Sequence, residues 1–93
     1  MANWIVYIIE SDDGLFYTGI TVDMERRWQE HCEVCEGGKK GAKFFRGRKP
    51  ERLVFMCSGY DRSTASRYEF EIKKLSRAKK LALIDSSCNG LKR

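Results

Sequence analysis

The sequence contains no long hydrophobic segment. Its longest uninterrupted apolar stretch runs from Trp4 to Ile9, far short of the roughly 20 residues that a membrane-spanning helix needs. The first ten residues, MANWIVYIIE, also lack the basic start and the small-residue cleavage site of a secretory signal. With 93 residues, of which 42% are hydrophobic and 33% charged, the composition is that of one small globular domain. We therefore expect a cytoplasmic protein without a membrane segment.

Histidine and paired metal ligands are also scarce. The chain has one histidine and four cysteines, which is sparse for the disulfide framework of a secreted domain. Cys32 and Cys35 form a Cys-x-x-Cys pair beside His31, which is half of a zinc site, but no second Cys-x-x-Cys or second histidine completes it. We interpret these cysteines as reduced and packed, with zinc or redox chemistry as the alternative.

Apolar runs and helical periodicities follow one another in the order β-β-α-β-α-α. The predicted strands are 4–9, 15–21 and 53–57, and the predicted helices are 23–36, 61–75 and 77–84. This order predicts an α+β domain, with a small three-stranded antiparallel or mixed sheet flanked by helices, over residues 1–85. We expect residues 86–93 to form a poorly ordered tail.

The turn between the first two strands decides which side chains meet. The residues SDDG at 11–14 predict a hairpin connection with Gly14 in the left-handed conformation. A three-residue loop would place Tyr7 opposite Gly19, and Tyr7 and Tyr17 would then share one face of the sheet. A two-residue loop would separate the two tyrosines. Taken alone, the pattern also fits two ordinary sheet tyrosines.

The segment YTGITVDMERRWQEH joins the second strand to a helix. Asp23 is placed to cap the first helical turn, and Gly37-Gly38 is a natural helix end. Arg27 and His31 are four residues apart and lie on one flank of the apolar stripe. That stripe consists of Met24, Trp28, Cys32 and Cys35. This one segment supplies a phenol, a guanidinium and an imidazole. Such groups suit a phosphate-containing substrate.

A basic segment, KKGAKFFRGRKPER, follows this helix. Glu51 is its only acid, although the net charge of the whole chain is a modest +5. Clustered cations can replace the counterions of a phosphate backbone, and exposed aromatic rings can stack on bases. We therefore predict nucleic-acid contact here rather than a merely solvated loop. The predicted contact residues are Lys39, Lys40, Lys43, Phe44, Arg46, Arg48 and Lys49.

Glu69 has an unusual position on the second predicted helix. It is four residues after Ala65 and three before Ile72, so it projects from the edge of the buried face. A carboxylate in that place needs a cation or a metal ion as a partner. The simpler alternative is an exposed ion pair with Lys73, worth only about 0.3–0.5 kcal/mol.

Together these features resemble the GIY-YIG endonuclease superfamily, in particular its small single-domain bacterial members. Ile5-Val6-Tyr7 stands at the place of the first motif and Tyr17-Thr18-Gly19 at the place of the second. Arg27 matches the family arginine, His31 the frequent helix histidine, and Glu69 the metal-binding glutamate. The resemblance extends over nearly the whole chain.

The sequence departs from the family pattern in three places. Ile-Val replaces Gly-Ile in the first motif, and Thr18 replaces the middle isoleucine of the second, which are changes compatible with strands. Asn89 is the only candidate for the C-terminal asparagine of many members. Larger members carry a separate DNA-binding domain, and we recognise none here. We therefore expect this domain itself, or a protein partner, to supply targeting.

The resemblance implies a metal-dependent endonuclease that hydrolyses phosphodiester bonds in DNA, in repair or recombination. Tyr17 or Tyr7 would be the general base, and its pKa, near 10 for a free phenol, would be lowered by Arg27 and a metal ion. Glu69 would hold one hydrated Mg²⁺ or Mn²⁺. Arg27 would grip the scissile phosphate, and His31 would assist Tyr7 or the phosphate.

The family match also implies that Gly19 leaves the backbone open beside the site.

Two other classes of protein stay open. A non-catalytic or partner-dependent nucleic-acid-binding domain would use the same basic segment, and a zinc or redox protein would use Cys32 and Cys35. The sequence does not separate DNA from RNA as the substrate. We expect a monomer, because no additional apolar face is evident.

Overall fold

The computed structural model describes the backbone of residues 3–91 and the side chains of residues 3–86. Within this part the strands form an antiparallel sheet in the order β2-β1-β3. The elements are β1 (Trp4–Ser11), β2 (Phe16–Thr21), α1 (Met24–Cys35), a short 3₁₀ helix (Lys43–Phe45), β3 (Pro50–Tyr60), α2 (Arg62–Lys73) and α3 (Arg77–Leu91). The predicted α+β class and element order are confirmed.

Gly14 sets the register of the first hairpin. Its φ of 84° is the left-handed conformation that the three-residue loop requires. Ile9 is consequently opposite Tyr17, and Tyr7 is opposite Gly19. The rings of Tyr7 and Tyr17 lie on the same face of the sheet with their centroids 6.2 Å apart, so the predicted register is confirmed.

The sheet separates two apolar clusters, because successive side chains of β1 point to opposite faces. On one face, against α2 and α3, the buried residues are Val6, Ile8, Phe55, Ala65, Ile72 and Ile84. On the other face, against α1 and the 3₁₀ helix, they are Tyr7, Ile9, Val34 and Phe45. A polar ring, that of Tyr7, therefore forms part of the second cluster.

The helix α1 begins and ends where the sequence predicts. The carboxylate of Asp23 accepts a hydrogen bond from the Arg26 N–H at 3.1 Å and caps the first turn. At the other end Gly37 adopts a φ of 104°. The N–H groups of Gly37 and Gly38 donate back into the last turn, which is a Schellman motif.

The buried face of α1 differs from the predicted stripe. Its fully buried residues are His31 and Val34, whereas the four predicted stripe residues, Met24, Trp28, Cys32 and Cys35, are only partly buried. His31 therefore lies at the centre of the buried face and not on its flank. An imidazole tolerates this position because both of its ring nitrogens have hydrogen-bond partners.

The strand β3 continues beyond its predicted end at Cys57, where Ser58 and Gly59 suggested a stop. Val6 pairs with Cys57, but Trp4 pairs with Tyr60, so β3 carries one more residue than β1 over this interval. Gly59, with a φ of 97°, lies in the extra stretch and forms a bulge. A glycine in a strand can thus mark an irregularity instead of a stop.

The helix α3 also continues beyond its predicted end, from Ile84 to Leu91. No proline follows Ile84 in the sequence, so no residue forces the backbone out of the helix there. The backbone of 86–91 is therefore helical where a tail was predicted, while the side chains of 87–93, including Asn89, lie outside the described residues. None of the described helices is long and apolar enough to cross a membrane.

Candidate functional site

A buried imidazole connects the sheet to the basic segment. His31 is 0% exposed; its Nε2 lies 2.8 Å from Tyr7 Oη, and its Nδ1 accepts from the Ala42 N–H at 3.3 Å. A neutral imidazole carries one N–H, so this acceptor role places the proton on Nε2, which donates to Tyr7. Burial, followed by the charge of Arg27, lowers the pKa of His31 to about 4. The neutral form that the network needs is therefore present at neutral pH.

The hydroxyl of Tyr7 fills the space above Gly19. A Cβ atom at residue 19 would lie 2.5 Å from Tyr7 Oη and 2.7 Å from Tyr7 Cζ, closer than van der Waals contact permits. Gly19 thus makes room for a phenol of the chain itself, which corrects the expectation of an open backbone beside the site.

Tyr7 also differs from the expected activated phenol. Burial, followed by the neighbouring Tyr17, raises the pKa of Tyr7 well above its usual value. Arg27 opposes this rise, as the sequence predicted, but its effect is smaller than that of burial. Within the described chain alone, Tyr7 stays protonated and serves as a hydrogen-bonding group.

Tyr17 is the more accessible of the two phenols, since it is only partly buried. Its ring centroid lies 5.4 Å from that of His31, 5.4 Å from that of Phe44 and 5.3 Å from that of Phe45. The contacts with His31 and Phe45 are edge-to-face and the contact with Phe44 is tilted; aromatic rings at such distances attract one another. The ring of Tyr17 is therefore held on several sides while the residue keeps access to solvent.

Arg27 is fixed beside these rings. Its Nη1 donates to Glu30 Oε1 at 2.8 Å and to the Lys40 carbonyl at 3.1 Å. Burial by itself would lower the pKa of Arg27, but hydrogen bonds with Glu30 and Tyr7 raise it above the ordinary value. The guanidinium is therefore charged, 26% exposed, and tied through Lys40 to the basic segment.

The helix α2 brings Glu69 to the same edge of the sheet. Its Oε2 lies 3.3 Å from Lys73 Nζ, and Lys73 Nζ lies 5.9 Å from the ring centroid of Tyr17. The negative charge of Glu69 is also close enough to contribute to the raised pKa of Tyr7. The ion pair with Lys73 that the sequence offered as the simpler alternative is therefore present, and it adjoins the phenols.

The small number of possible metal ligands near Glu69 restricts the kind of metal ion that this carboxylate could hold. Within the part of the chain that the structure describes, no three His, Cys, Asp or Glu side chains are grouped to bind a metal. An ion at Glu69 would therefore take most of its ligands from water and substrate. Mg²⁺ commonly binds in this way, through one or two carboxylates and substrate phosphates, so a single partly exposed carboxylate fits it.

Most of the cations of the basic segment are exposed and available to bind a polyanion. The exposed cations among the predicted contact residues are Lys39, Lys40, Lys43, Arg46 and Lys49, and no carboxylate of the described residues lies within 4.0 Å of any of them. Arg48 differs, because its Nε donates to Asp13 at 2.9 Å and its guanidinium lies 5.0 Å from the ring centroid of Phe44. The predicted contact residues therefore divide into free cations and one anchored cation.

A family model described as the GIY-YIG catalytic domain matches residues 3–82. This chain belongs to the GIY-YIG family. UPF0213 protein YhbQ of Escherichia coli (strain K12) is 43% identical over 84 residues, which cover 90% of this chain and 79% of that protein. UPF0213 protein plu4503 of Photorhabdus laumondii is 42% identical over 82 residues, or 88% and 74% of the two chains.

A solved structure agrees with this assignment. The solution NMR structure of the UPF0213 protein BH0048 from Bacillus halodurans superposes with a TM-score of 0.55 at 42% identity, covering 89% of this chain and 83% of that one. The resemblance to small single-domain GIY-YIG proteins is confirmed. The family is one of nucleases, whereas the names of these relatives state no reaction.

Two cysteines follow His31 on the helix α1 of this GIY-YIG chain. Cys32 and Cys35 are partly buried free thiols. Burial, followed by Glu36, raises the pKa of Cys32. Redox and metal-binding cysteines depend on the thiolate, which a lowered pKa favours, so the raised pKa of Cys32 does not favour the zinc or redox interpretation.

Sequence analysis missed two residues that shape the GIY-YIG site. Phe45 is 0% exposed, and its ring centroid lies 4.6 Å from that of His31, but its position beside Phe44 gave no sign of which ring would turn inward. Glu30 positions Arg27, and here a signal existed, because acidic and basic residues three apart on a helix are neighbours.

Proposed function

We propose that this protein is a metal-dependent endonuclease that hydrolyses phosphodiester bonds in DNA. The observation that carries the proposal is the connected cluster formed by the five candidate residues. Tyr7 is hydrogen-bonded to His31 and is close enough to Arg27 for that residue to oppose the rise in its pKa. Tyr17 packs against the rings of Tyr7 and His31, and Glu69 reaches the cluster through its charge and through Lys73. A role in DNA repair or recombination is a further proposal that follows from the family alone.

Burial favours Tyr17 as the general base. A base must approach the water molecule that it deprotonates, and Tyr17 is partly exposed while Tyr7 is not. The hydroxyl oxygen of Tyr7 accepts a hydrogen bond from the His31 Nε2–H, and the pKa of Tyr7 is raised, which suits a positioning role beside Tyr17. His31 in turn holds Tyr7 in place.

Arg27 and Glu69 would handle the phosphate. The guanidinium of Arg27 is charged and partly exposed, and its fork of donors matches two phosphoryl oxygens. Glu69 would hold Mg²⁺ or Mn²⁺, and the ion when bound would neutralise charge on the phosphoryl group and the leaving oxygen. The free cations of the basic segment would hold the flanking strand through its phosphates.

One observation favours a second candidate, a nucleic-acid-binding domain that is non-catalytic or depends on a partner. Lys73 already pairs with Glu69, so a cation of the chain itself neutralises the carboxylate that a metal ion would need. The exposed cations of the basic segment would bind DNA equally well in this case.

Cleavage of labelled single-stranded, duplex and branched DNA in Mg²⁺, Mn²⁺ or EDTA tests the proposal. We expect cleavage by the wild type in metal, and its loss in Glu69→Gln and Arg27→Ala with DNA binding largely retained. Glu71→Gln is the matched control, because it removes the same charge from an exposed position of α2 and should cleave normally. Salt-sensitive binding by a wild type that never cleaves would select the second candidate.

A further inference from the structure

A cleft that the catalytic proposal does not use lies beside Tyr17. It has a volume of about 310 Å³ and is lined by Leu15, Phe16, Phe44, Arg77 and Lys80. Three separate parts of the chain therefore form it: the tip of the first hairpin, the basic segment and the first turns of α3. The ring of Phe44, which forms one wall of the cleft, also packs against the ring of Tyr17, with ring centroids 5.4 Å apart.

Two stacked pairs of rings and guanidinium groups give the cleft its shape. The guanidinium carbon of Arg77 lies 4.7 Å from the ring centroid of Phe16, and Arg77 Nη1 donates to the Gly14 carbonyl at 2.9 Å. On the other wall the guanidinium of Arg48 is stacked on Phe44. These flat groups are held in position before any ligand arrives, which reduces the entropy cost of binding.

The charges of the cleft are of one sign. Arg77 and Lys80 line it, and none of its lining residues is acidic. Lys80 is partly buried, and no carboxylate of the described residues lies within 4.0 Å of its ammonium. A ligand suited to this cleft has a planar aromatic part and an adjacent negative charge.

We propose that the cleft binds one unpaired base of a nucleic-acid strand whose neighbouring phosphate lies at the Tyr17 site. Bases splayed out of a helix stack on aromatic rings and on arginine planes, and a volume of 310 Å³ is at the small end of ligand sites. The inference rests on the proposed nuclease function and adds a substrate class: a single strand, or a junction with an unpaired base, in preference to a continuous duplex.

Binding measurements separate this proposal from cleavage. We would titrate Glu69→Gln protein in EDTA against three labelled DNAs and follow fluorescence anisotropy at one fixed salt concentration. The DNAs are a single strand, the same strand with abasic sites in place of its bases, and the duplex. This assay contains no metal ion and uses a Glu69 variant, so its result does not depend on whether the enzyme cleaves, and a failed nuclease proposal can be told apart from a failed cleft proposal.

Two substitutions test the cleft itself. Leu15→Trp fills it without changing charge, and Lys80→Gln removes its unpaired cation. Leu81→Trp and Lys79→Gln are the matched controls, since Leu81 is exposed to a similar degree (46% against 40% for Leu15) and neither residue lines the cleft. Loss of one stacked base should weaken single-strand binding at least about fivefold in Leu15→Trp, and Lys80→Gln should weaken it more than Lys79→Gln does.

The comparison of the three DNAs decides the outcome. We expect the wild-type cleft to bind the single strand more tightly than the abasic strand, and the Leu15→Trp effect to disappear on the abasic strand and the duplex. Equal binding of the intact and abasic strands overturns the proposal. So does unchanged single-strand binding in folded Leu15→Trp. If Leu15→Trp does not fold by circular dichroism, equal effects of Lys80→Gln and Lys79→Gln overturn it.

Discussion

Acidification should destabilise this protein through one buried group. His31 is the only histidine of the chain and is 0% exposed. Protonation turns both ring nitrogens into donors, and Nδ1–H would then face the Ala42 N–H from which Nδ1 now accepts. The folded state therefore resists protonation, with the pKa of His31 lowered from 6.5 to about 4.

The direction and size of the effect follow from the two pKa values. Below pH 6.5 the unfolded chain takes up a proton at residue 31 that the folded chain refuses until about pH 4. Stability is therefore independent of this group above pH 7 or so and falls as the pH decreases from 6.5 toward 4. At about pH 4.5 the free energy of unfolding should be lower by at most about 2.5 kcal/mol. This is a large part of the roughly 5–15 kcal/mol that stabilises a typical domain.

Urea unfolding at several pH values between about 7.5 and 4.5 measures this loss, with the fluorescence of Trp4 and Trp28 as the probe. His31→Gln keeps a polar group at the site and does not titrate. It should be less stable than the wild type at neutral pH but nearly insensitive to pH over this range. Aspartates contribute little in either protein, because an unfolded aspartate is still mostly ionised at pH 4.5. A wild type with flat stability, or a His31→Gln protein with the wild-type slope, would refute the reasoning.

Three further substitutions have defined outcomes. Gly19→Ala places a Cβ 2.5 Å from Tyr7 Oη and should lower the free energy of unfolding by about 1–3 kcal/mol; urea unfolding with wild-type stability would contradict this. Thr18→Val removes a buried hydroxyl for which the structure gives no hydrogen-bond partner and should raise stability by about 1 kcal/mol, whereas a loss in the same assay would show that Oγ1 is satisfied. Lys73→Met releases Glu69 and should lower the Mg²⁺ concentration for half-maximal cleavage, while the control Lys74→Met should not. An increased Mg²⁺ requirement would count against it.

The parts of the site that sequence could predict depend on short-range geometry. A left-handed Gly14 favours the three-residue loop, and that loop fixes which residues of β1 and β2 are opposite each other. Because side chains alternate along a strand, the shared face of Tyr7 and Tyr17 follows from the turn alone. The Asp23 cap and the end of α1 at Gly37 are local in the same sense.

The parts that sequence missed depend on partners distant along the chain. His31 looked like a flanking residue because its spacing places it beside the predicted apolar stripe of α1. Its burial becomes possible only when Tyr7 and Ala42 provide hydrogen bonds from other elements. Gly59 looked like a strand end because its role as a bulge depends on the pairing with β1. The Glu69–Lys73 pair could be predicted from its i, i+4 spacing, whereas the position of Lys73 beside the ring of Tyr17 depends on how α2 packs against β2.

The charge balance of the site connects the proposed metal ion with the proposed substrate. Arg27 pairs with Glu30 and Lys73 pairs with Glu69, so these four side chains sum to zero. A phosphodiester brought to such a site adds a negative charge to a set of side chains whose own charges already balance. A divalent cation at Glu69 would make the site positive before the phosphate arrives, and electrostatic stabilisation of developing charge would then be available. On this argument, binding in EDTA should depend chiefly on the basic segment and the cleft, whereas cleavage should require both metal and Arg27.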